Sequence, residues 1–367
     1  MHDKSALDIT VTPRQDPTSD ERLSEILAAP GFGTNFTDHM LTTEWTPEKG
    51  WHDARITAYG PITLDPATAV LHYAQEIFEG LKAYRHADGS VWTFRPEANG
   101  ARLARSARRL ALPELPVEDF IATVDELVRV EERWVPDAAG EKSLYLRPFM
   151  FASEAFLGVR PSKHVTYMVI ASPAGAYFAH GVKPVSLLVS EHYTRAAVGG
   201  MGAAKTGGNY ASSIAPQQEA IDRGFDQVVF LDAIERTYVE EVGGMNLYFV
   251  HDDGSIVTPE LTGTILEGVT RSSIMELAGK LGHQVQERRF TIDEWREGVT
   301  SGRITEVFAC GTAAVVTPVG RLAWSDGEID CSVDGDAGPV TQEIRQALVD
   351  IQYGRAEDSF GWLHRVC

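Results

Sequence analysis

Apolar and polar positions along the chain change period several times, and the changes divide it into elements. "SLYLRPFMF" (143 to 151) and "HVTYMVIAS" (164 to 172) are short runs rich in β-branched and aromatic residues, which predicts strands. "LKAYRHADGSVWTF" places Asp88-Gly89 between two such runs and predicts a hairpin. "RPEANGARLARSARRL" has helical spacing, and "ERLSEILAAP" predicts a short helix after an aperiodic stretch rich in Asp, Pro, Ser and Thr. Further on, "VSLLVS", "DQVVFLD", "MNLYFVHDD", "GSIVTP" and "ITEVFACG" predict strands, with helices near 212–223, 269–281, 291–300 and 339–353. "PAGAYFAHGVKP" interrupts the pattern with two prolines and two glycines and predicts a linker. The expected organisation is an N-terminal extension (1–30), a small α+β domain (31–172), a linker (173–183) and a large α+β domain (184–367). Hairpin-joined strands argue for α+β over a regularly alternating parallel sheet.

Composition narrows the function. The 367 residues are 43% hydrophobic and 23% charged, ordinary for a globular chain of this length. A formal charge of −19 repels nucleic-acid phosphates and anionic lipid, and no basic cluster offsets it, so neither is expected as a partner. Three cysteines, Cys310, Cys331 and Cys367, lack CxxC spacing; no disulfide framework and no metal site is expected. With no signal-like or membrane-length apolar run, the expected location is the cytoplasm.

The chemistry centres on "GGMGAAKTGGNY" (199 to 210), one lysine among small residues. It misses the phosphate-loop pattern by one residue, with Ala204 in place of glycine, and Gly207-Gly208 is expected to break the helix such a loop needs. The other reading is a lysine that reacts with a carbonyl, for which desolvation lowers the amine pKa and small neighbours leave room for a planar cofactor. Three segments offer anion sites. Arg102, Arg105 and Arg109 are spaced as a row on one helix face. Gly268 precedes a predicted helix opening at Val269-Thr270, and Gly311-Thr312-Ala313 is a turn with a hydroxyl and backbone N–H groups. Glu240 and Glu241 offer a carboxylate for a ring nitrogen; strand alternation sends them to opposite faces, so one is expected inside. Taken singly, each of these is equally a solvated arginine, a plain helix start, a turn or a pair of surface glutamates.

Together the segments resemble the branched-chain amino acid aminotransferases, pyridoxal 5'-phosphate enzymes of fold type IV, a two-domain α+β architecture. The resemblance runs from 31 to 366 and is carried by "FTDHM", "LHYAQEIFEGLKAYR", "LYLRPF", "ASPAGAYF", "GAAKTGGNYA", "EEVGGMN" and "EVFACGTAAVVTPVG". It implies reversible amino transfer between L-leucine, L-isoleucine or L-valine and 2-oxoglutarate. By position, Lys205 matches the Schiff-base lysine, Tyr210 the tyrosine on the cofactor's phenolic oxygen, and Glu241 the partner of its ring nitrogen. Arg102, Val269, Thr270 and Thr312 match phosphate-binding positions, and Arg195 an arginine near the cofactor. Thr312 and Ala313 match the α-carboxylate site. Phe36, Tyr73, Phe78, Tyr145 and Tyr177 would line the side-chain pocket, with Arg147 meeting the γ-carboxylate of glutamate. The family implies a homodimer, in which Tyr73 and Phe78 would act across the interface. D-amino acid aminotransferases and aminodeoxychorismate lyases are sister activities, disfavoured by "FEGLKAYR" and "LYLRPF". Gly244 stands where some relatives carry threonine. Ala314 and Thr317 stand where others carry a cysteine pair, so no redox switch is expected there. Pro216 falls in the helix after Tyr210, where only its first turn is expected to tolerate proline.

Overall fold

The structure is a computed structural model and describes residues 7–175, 183–332 and 335–367. The chain forms two compact units: Met1–Tyr177 with Ala204–Gly207 and Ile351–Cys367, and Phe178–Ala203 with Gly208–Asp350. Among the described residues no helix is long and apolar enough to cross a membrane.

In the first unit the strands run in the order Thr10–Val11, Gly50–Ala58, His39–Thr46, Val165–Ala174, Ser143–Ala152, Leu81–Arg85, Val91–Phe94 and Leu363–Arg365, with Glu76–Phe78 also paired to Ser143–Ala152. The central pair is antiparallel in continuous register from Ser143↔Ala174 to Ala152↔Val165. Its inward side chains, Leu144, Leu146, Val165, Tyr167 and Val169, join Leu103 and Ala107 of helix Pro96–Arg109 and Phe120, Val124 and Leu127 of helix Val117–Val130 in one core. The hairpin expected at Asp88-Gly89 forms, with Gly89 at φ 88°.

Both ends of the chain join the first unit. The described part of the N-terminal extension joins the first sheet: Thr10–Val11 pairs in parallel with Arg55 and Ile56, and the Thr18 N–H and hydroxyl donate to Asp38. Two residues make too short a run to register as a strand until an exposed sheet edge accepts them. The last residues belong to the first unit rather than to the larger C-terminal one, because Leu363–Arg365 pairs with Trp92–Phe94.

In the second unit the order is Val239–Val242, Gln227–Leu231, Val185–Ser190, Val315–Ala323, Ile304–Gly311, Asn246–His251, Ile256–Pro259 and Val285–Arg288, with Glu328–Asp330 beside Val315–Ala323. Parallel pairs (Val185–Ser190 with both neighbours, Ile256–Pro259 with Val285–Arg288) mix with antiparallel hairpins. The bridge Val242↔Met245 brings the first strand of this order back beside Asn246–His251, so the sheet curls on itself. Phe249 stacks on Phe290 at 4.0 Å and meets Trp295 edge-on at 4.8 Å, filling the interior. Cys310, Cys331 and Cys367 are free, and burial pushes the thiols of Cys310 and Cys331 up to about 12.

Helix Gly207–Asp222 corrects two expectations. It begins at Gly207, so Gly207-Gly208 opens the helix instead of breaking it. Pro216 lies in its interior, past the first turn. Proline removes the N–H that would bond the Ser212 carbonyl, so the helix carries it with one ladder bond missing.

Helix Pro339–Gln352 opens on a carboxylate borrowed from a strand. Glu306, 6% exposed, accepts from the Val340 N–H (3.0 Å), the Thr341 N–H (2.8 Å) and the Thr341 hydroxyl (2.7 Å). Gly338 is required beside it, since a Cβ there would overlap the Glu306 side chain. Glu306→Ala leaves these donors without their acceptor and is expected to lower stability by about 1–3 kcal/mol, read as a reduced urea midpoint at unchanged m-value. An unchanged midpoint contradicts the capping role.

Candidate active site

Lys205 is positioned through its backbone. The Phe78 N–H donates to the Lys205 carbonyl (3.0 Å), and the Lys205 N–H donates to the Ser106 hydroxyl on helix Pro96–Arg109 (2.9 Å). Glu76, on the strand Glu76–Phe78, accepts from the Gly207 N–H and from the Thr206 hydroxyl (3.3 Å), which caps the helix opening at Gly207. Burial raises the Glu76 carboxyl above its ordinary value, against the Gly207 N–H, the Thr206 hydroxyl and the Arg147 charge. A Cβ on Gly207 would lie 2.5 Å from Glu76 Oε1, and one on Gly202 would overlap the Thr264 carbonyl. The small residues around Lys205 are therefore needed by close contacts at these two positions.

The lysine side chain lies over an aromatic ring: Nζ is 4.9 Å from the Phe78 centroid, and the Arg147 guanidinium carbon is 4.8 Å from the same ring. Phe78 thus meets the lysine of its own chain. Arg147 also donates to the Tyr145 hydroxyl (3.0 Å), and Gly80 leaves that hydroxyl space that a Cβ would fill. Sequence reasoning missed Glu79. Its fully buried carboxylate accepts from Arg102 Nε (2.7 Å), Arg102 Nη2 (2.8 Å) and Asn99 Nδ2 (2.8 Å). Burial pushes Glu79 up, but the Arg102 guanidinium, Lys205 and Asn99 outweigh it and hold the carboxyl below its ordinary value. The three arginines do not share an environment: Arg102 is buried, while Arg105 and Arg109 are exposed, Arg105 lying about 60° around the helix from Arg102 and Arg109 being the last residue of the helix.

Of the aromatic residues named from sequence, Phe78 and Tyr145 gather with Arg147 and Lys205. Phe36 stacks on Tyr59 at 4.9 Å, and Tyr73 is 39% exposed beside His72 at the end of a short helix. Tyr177 lies outside the described residues.

In the second unit Glu241 is 1% exposed, with Oε1 2.8 Å from Arg195 Nη1 and accepting from the Leu266 N–H at 3.0 Å. Arg195 Nη1 also donates to the Thr264 carbonyl (3.0 Å). Glu240 is buried as well, contrary to the expectation of one inward glutamate. Alternation holds, but both faces of this strand are covered, and Glu240 accepts from the Thr264 hydroxyl at 2.5 Å. A Cβ at Gly244 would lie 3.5 Å from the Tyr210 ring, ordinary contact, so the absent threonine leaves open space against Tyr210.

Two backbone features suit an anion. Helix Val269–Lys280 starts after Gly268 with no side-chain cap, so its first N–H groups, on the buried residues Val269 and Thr270, are donors without a capping acceptor. The turn holding Thr312 and Ala313 joins strands paired Gly311↔Val315, with Val315 at φ 61°, a strained conformation for a β-branched residue. Strain of this kind gathers at functional sites.

A family model described as amino-transferase class IV matches residues 76–322, and the chain belongs to that family. Its curated relatives carry a narrower description. One from Streptomyces coelicolor, named a probable branched-chain-amino-acid aminotransferase, is 58% identical over 97% of this chain and 98% of its own length. A branched-chain-amino-acid aminotransferase of Mycolicibacterium smegmatis is 55% identical over 98% of both. Among solved structures, the Escherichia coli branched-chain amino acid aminotransferase aligns with TM-score 0.73 at 31% identity, over 89% of this chain and 99% of that one. The Thermobaculum terrenum enzyme of the same name, solved in its PLP form, matches with TM-score 0.70 at 25% identity, over 89% and 98%. The fold is that of the fold type IV enzymes.

The buried Glu79–Arg102 pair yields a test. Glu79→Ala leaves a buried guanidinium uncompensated and is expected to cost about 3–5 kcal/mol, whereas Glu79→Leu with Arg102→Met costs much less, both read by urea denaturation. Equal losses in the two proteins contradict charge pairing as the reason.

Proposed function

We propose that the chain is a branched-chain-amino-acid aminotransferase that moves the amino group reversibly between L-leucine, L-isoleucine or L-valine and 2-oxoglutarate, with pyridoxal 5'-phosphate as cofactor. The observation that carries this reading is the reactive-lysine arrangement in a class IV aminotransferase: Lys205 pinned through its N–H and carbonyl, with its amine over Phe78. Support for the narrower substrate class comes from the relatives at 53–58% identity over nearly their whole length.

The donors suit a phosphorylated pyridine aldehyde. The uncapped N–H groups of Val269 and Thr270, the Thr312 hydroxyl and the Arg102 guanidinium serve the phosphate. Arg102 and Arg195 are each neutralised by a buried glutamate, so they act by N–H donation and orientation more than by net charge. Glu241 serves the ring nitrogen and Tyr210 the phenolic oxygen. When bound, the cofactor supplies an electron-withdrawing ring that acidifies the substrate Cα–H. Lys205 provides the amine that holds the aldehyde, then takes the Cα proton and returns it on the other side of the exchange. Thr312 and Ala313 hold the substrate α-carboxylate. Phe36, Tyr73, Phe78, Tyr145 and Tyr177 shape the apolar side-chain site, and Arg147, whose Nε is buried without a hydrogen-bond partner, takes the γ-carboxylate of glutamate. The working form is a cytoplasmic homodimer in which the exposed Tyr73 meets the second copy.

Three results follow for the purified, cofactor-loaded protein. Leucine, isoleucine and valine in the L form drive glutamate formation from 2-oxoglutarate and the D forms do not; turnover confined to D-amino acids contradicts the reading. Lys205→Ala lowers L-leucine turnover by about 10³-fold or more. Arg147→Met raises KM for 2-oxoglutarate by about 10–100-fold, the loss of one charge-assisted contact, with KM for leucine nearly unchanged.

A further inference from the structure

Beside the carboxylate assigned to the ring nitrogen stands a second buried one for which the reaction as described has no use. Glu240 is 4% exposed. Its Oε1 accepts from the Thr264 hydroxyl at 2.5 Å, while its Oε2 is buried with no hydrogen-bond partner. An unsatisfied buried carboxylate oxygen is costly, and such a cost in a native interior calls for a reason.

Thr264 supplies the connection. Its hydroxyl binds Glu240 and its carbonyl accepts from Arg195 Nη1 at 3.0 Å, the same nitrogen that lies 2.8 Å from Glu241. Arg195 is therefore in salt-bridge contact with Glu241 and linked to Glu240 through Thr264. The arithmetic of charge matters here. A ring nitrogen keeps its proton only if the surrounding field is negative, and an arginine in contact with Glu241 cancels most of the field that Glu241 supplies. With Glu240 ionised, the group of three carries net charge −1; with Glu240 neutral, it carries zero. Other charged groups face Glu240: Asp232, Glu235, Glu260 and Arg289 border a small cavity with it, and Arg289 pairs with Glu235 and Glu260.

We propose that Glu240 is a positioning residue for the amino-transfer reaction: its negative charge offsets Arg195, so that Glu241 holds a proton on the pyridine nitrogen of the cofactor. The proposal rests on the assignment of Glu241 to that nitrogen. Burial lifts the Glu240 carboxyl above its ordinary value, as does the Asp232 charge, and the Thr264 hydroxyl and the Arg195 guanidinium oppose that lift and favour the charged form. Thr264 also ties the group to the lysine segment. Gly202 packs on its carbonyl without room for a Cβ, and the Ala203 N–H donates to the Gly263 carbonyl at 3.1 Å.

The test is nitrogen-15 NMR of the holoenzyme loaded with pyridoxal 5'-phosphate labelled at the ring nitrogen. Glu240→Gln keeps the acceptor for Thr264 and the side-chain volume but removes the charge. The ring nitrogen pKa is expected to fall by about one unit or more, moving the resonance from the protonated toward the neutral position, with kcat lowered and KM little changed. Glu240→Asp, which retains the charge, is expected to restore the protonated resonance, and the melting temperature of Glu240→Gln is expected to equal or exceed that of the parent, since a neutral group is cheaper to bury. If Glu240→Gln leaves the resonance in place while Glu241→Gln shifts it, Glu240 is structural and the proposal is wrong. If Glu241→Gln also leaves it in place, the assignment of Glu241 itself is wrong.

Discussion

A carboxylate with no solvent exposure can remain ionised only if its surroundings replace water, and Glu79 meets that condition with three N–H donors from Arg102 and Asn99. The pairing locks helix Pro96–Arg109 against the segment Phe78–Gly80. That segment and that helix are the two elements that hold Lys205, through the Phe78 N–H and the Ser106 hydroxyl. Remove the charge pair and both anchors of the lysine backbone lose their fixed spacing. The Lys205 amine is thus placed by a polar contact one residue along from the ring it lies over.

The same device recurs. Glu76 caps the helix that opens at Gly207, Glu306 caps helix Pro339–Gln352, and Glu241 accepts from the Leu266 N–H, each reaching from a strand to a backbone amide elsewhere in the sequence. Part of the net charge of −19 is therefore interior. Acidity that reads at first as a surface property, repelling nucleic acid and lipid, is also a set of fixed acceptors inside the protein. Charge-assisted contacts of this kind are directional, whereas apolar packing is not, which suits elements that must hold a catalytic group within tenths of an ångström.

How much of this is legible in the sequence depends on distance along the chain. The hairpin at Asp88-Gly89 and helix Val269–Lys280 carry their signals locally, in turn residues and periodicity. The motifs around Lys205 and Glu241 are legible through family resemblance. Glu76, Glu79 and Glu306 are not, because each is one more glutamate in an acidic chain until its partners, 20 to 131 residues away, are known. Alternation at Glu240-Glu241 tells which faces the side chains take but not that both faces are covered. Gly207-Gly208 reads as a helix breaker because nothing nearby reveals the carboxylate that receives the first N–H.

The central claim is that Lys205 is the residue that holds the cofactor covalently and that the Glu79 cluster puts it there. Borohydride reduction of the cofactor-loaded protein, followed by proteolysis and mass mapping of the pyridoxyl-modified peptide, tests it most directly. The account predicts a single modified peptide containing Lys205, with the modification displaced by prior addition of L-leucine. Modification at another lysine, or a Lys205 peptide recovered unmodified from yellow protein, would contradict it.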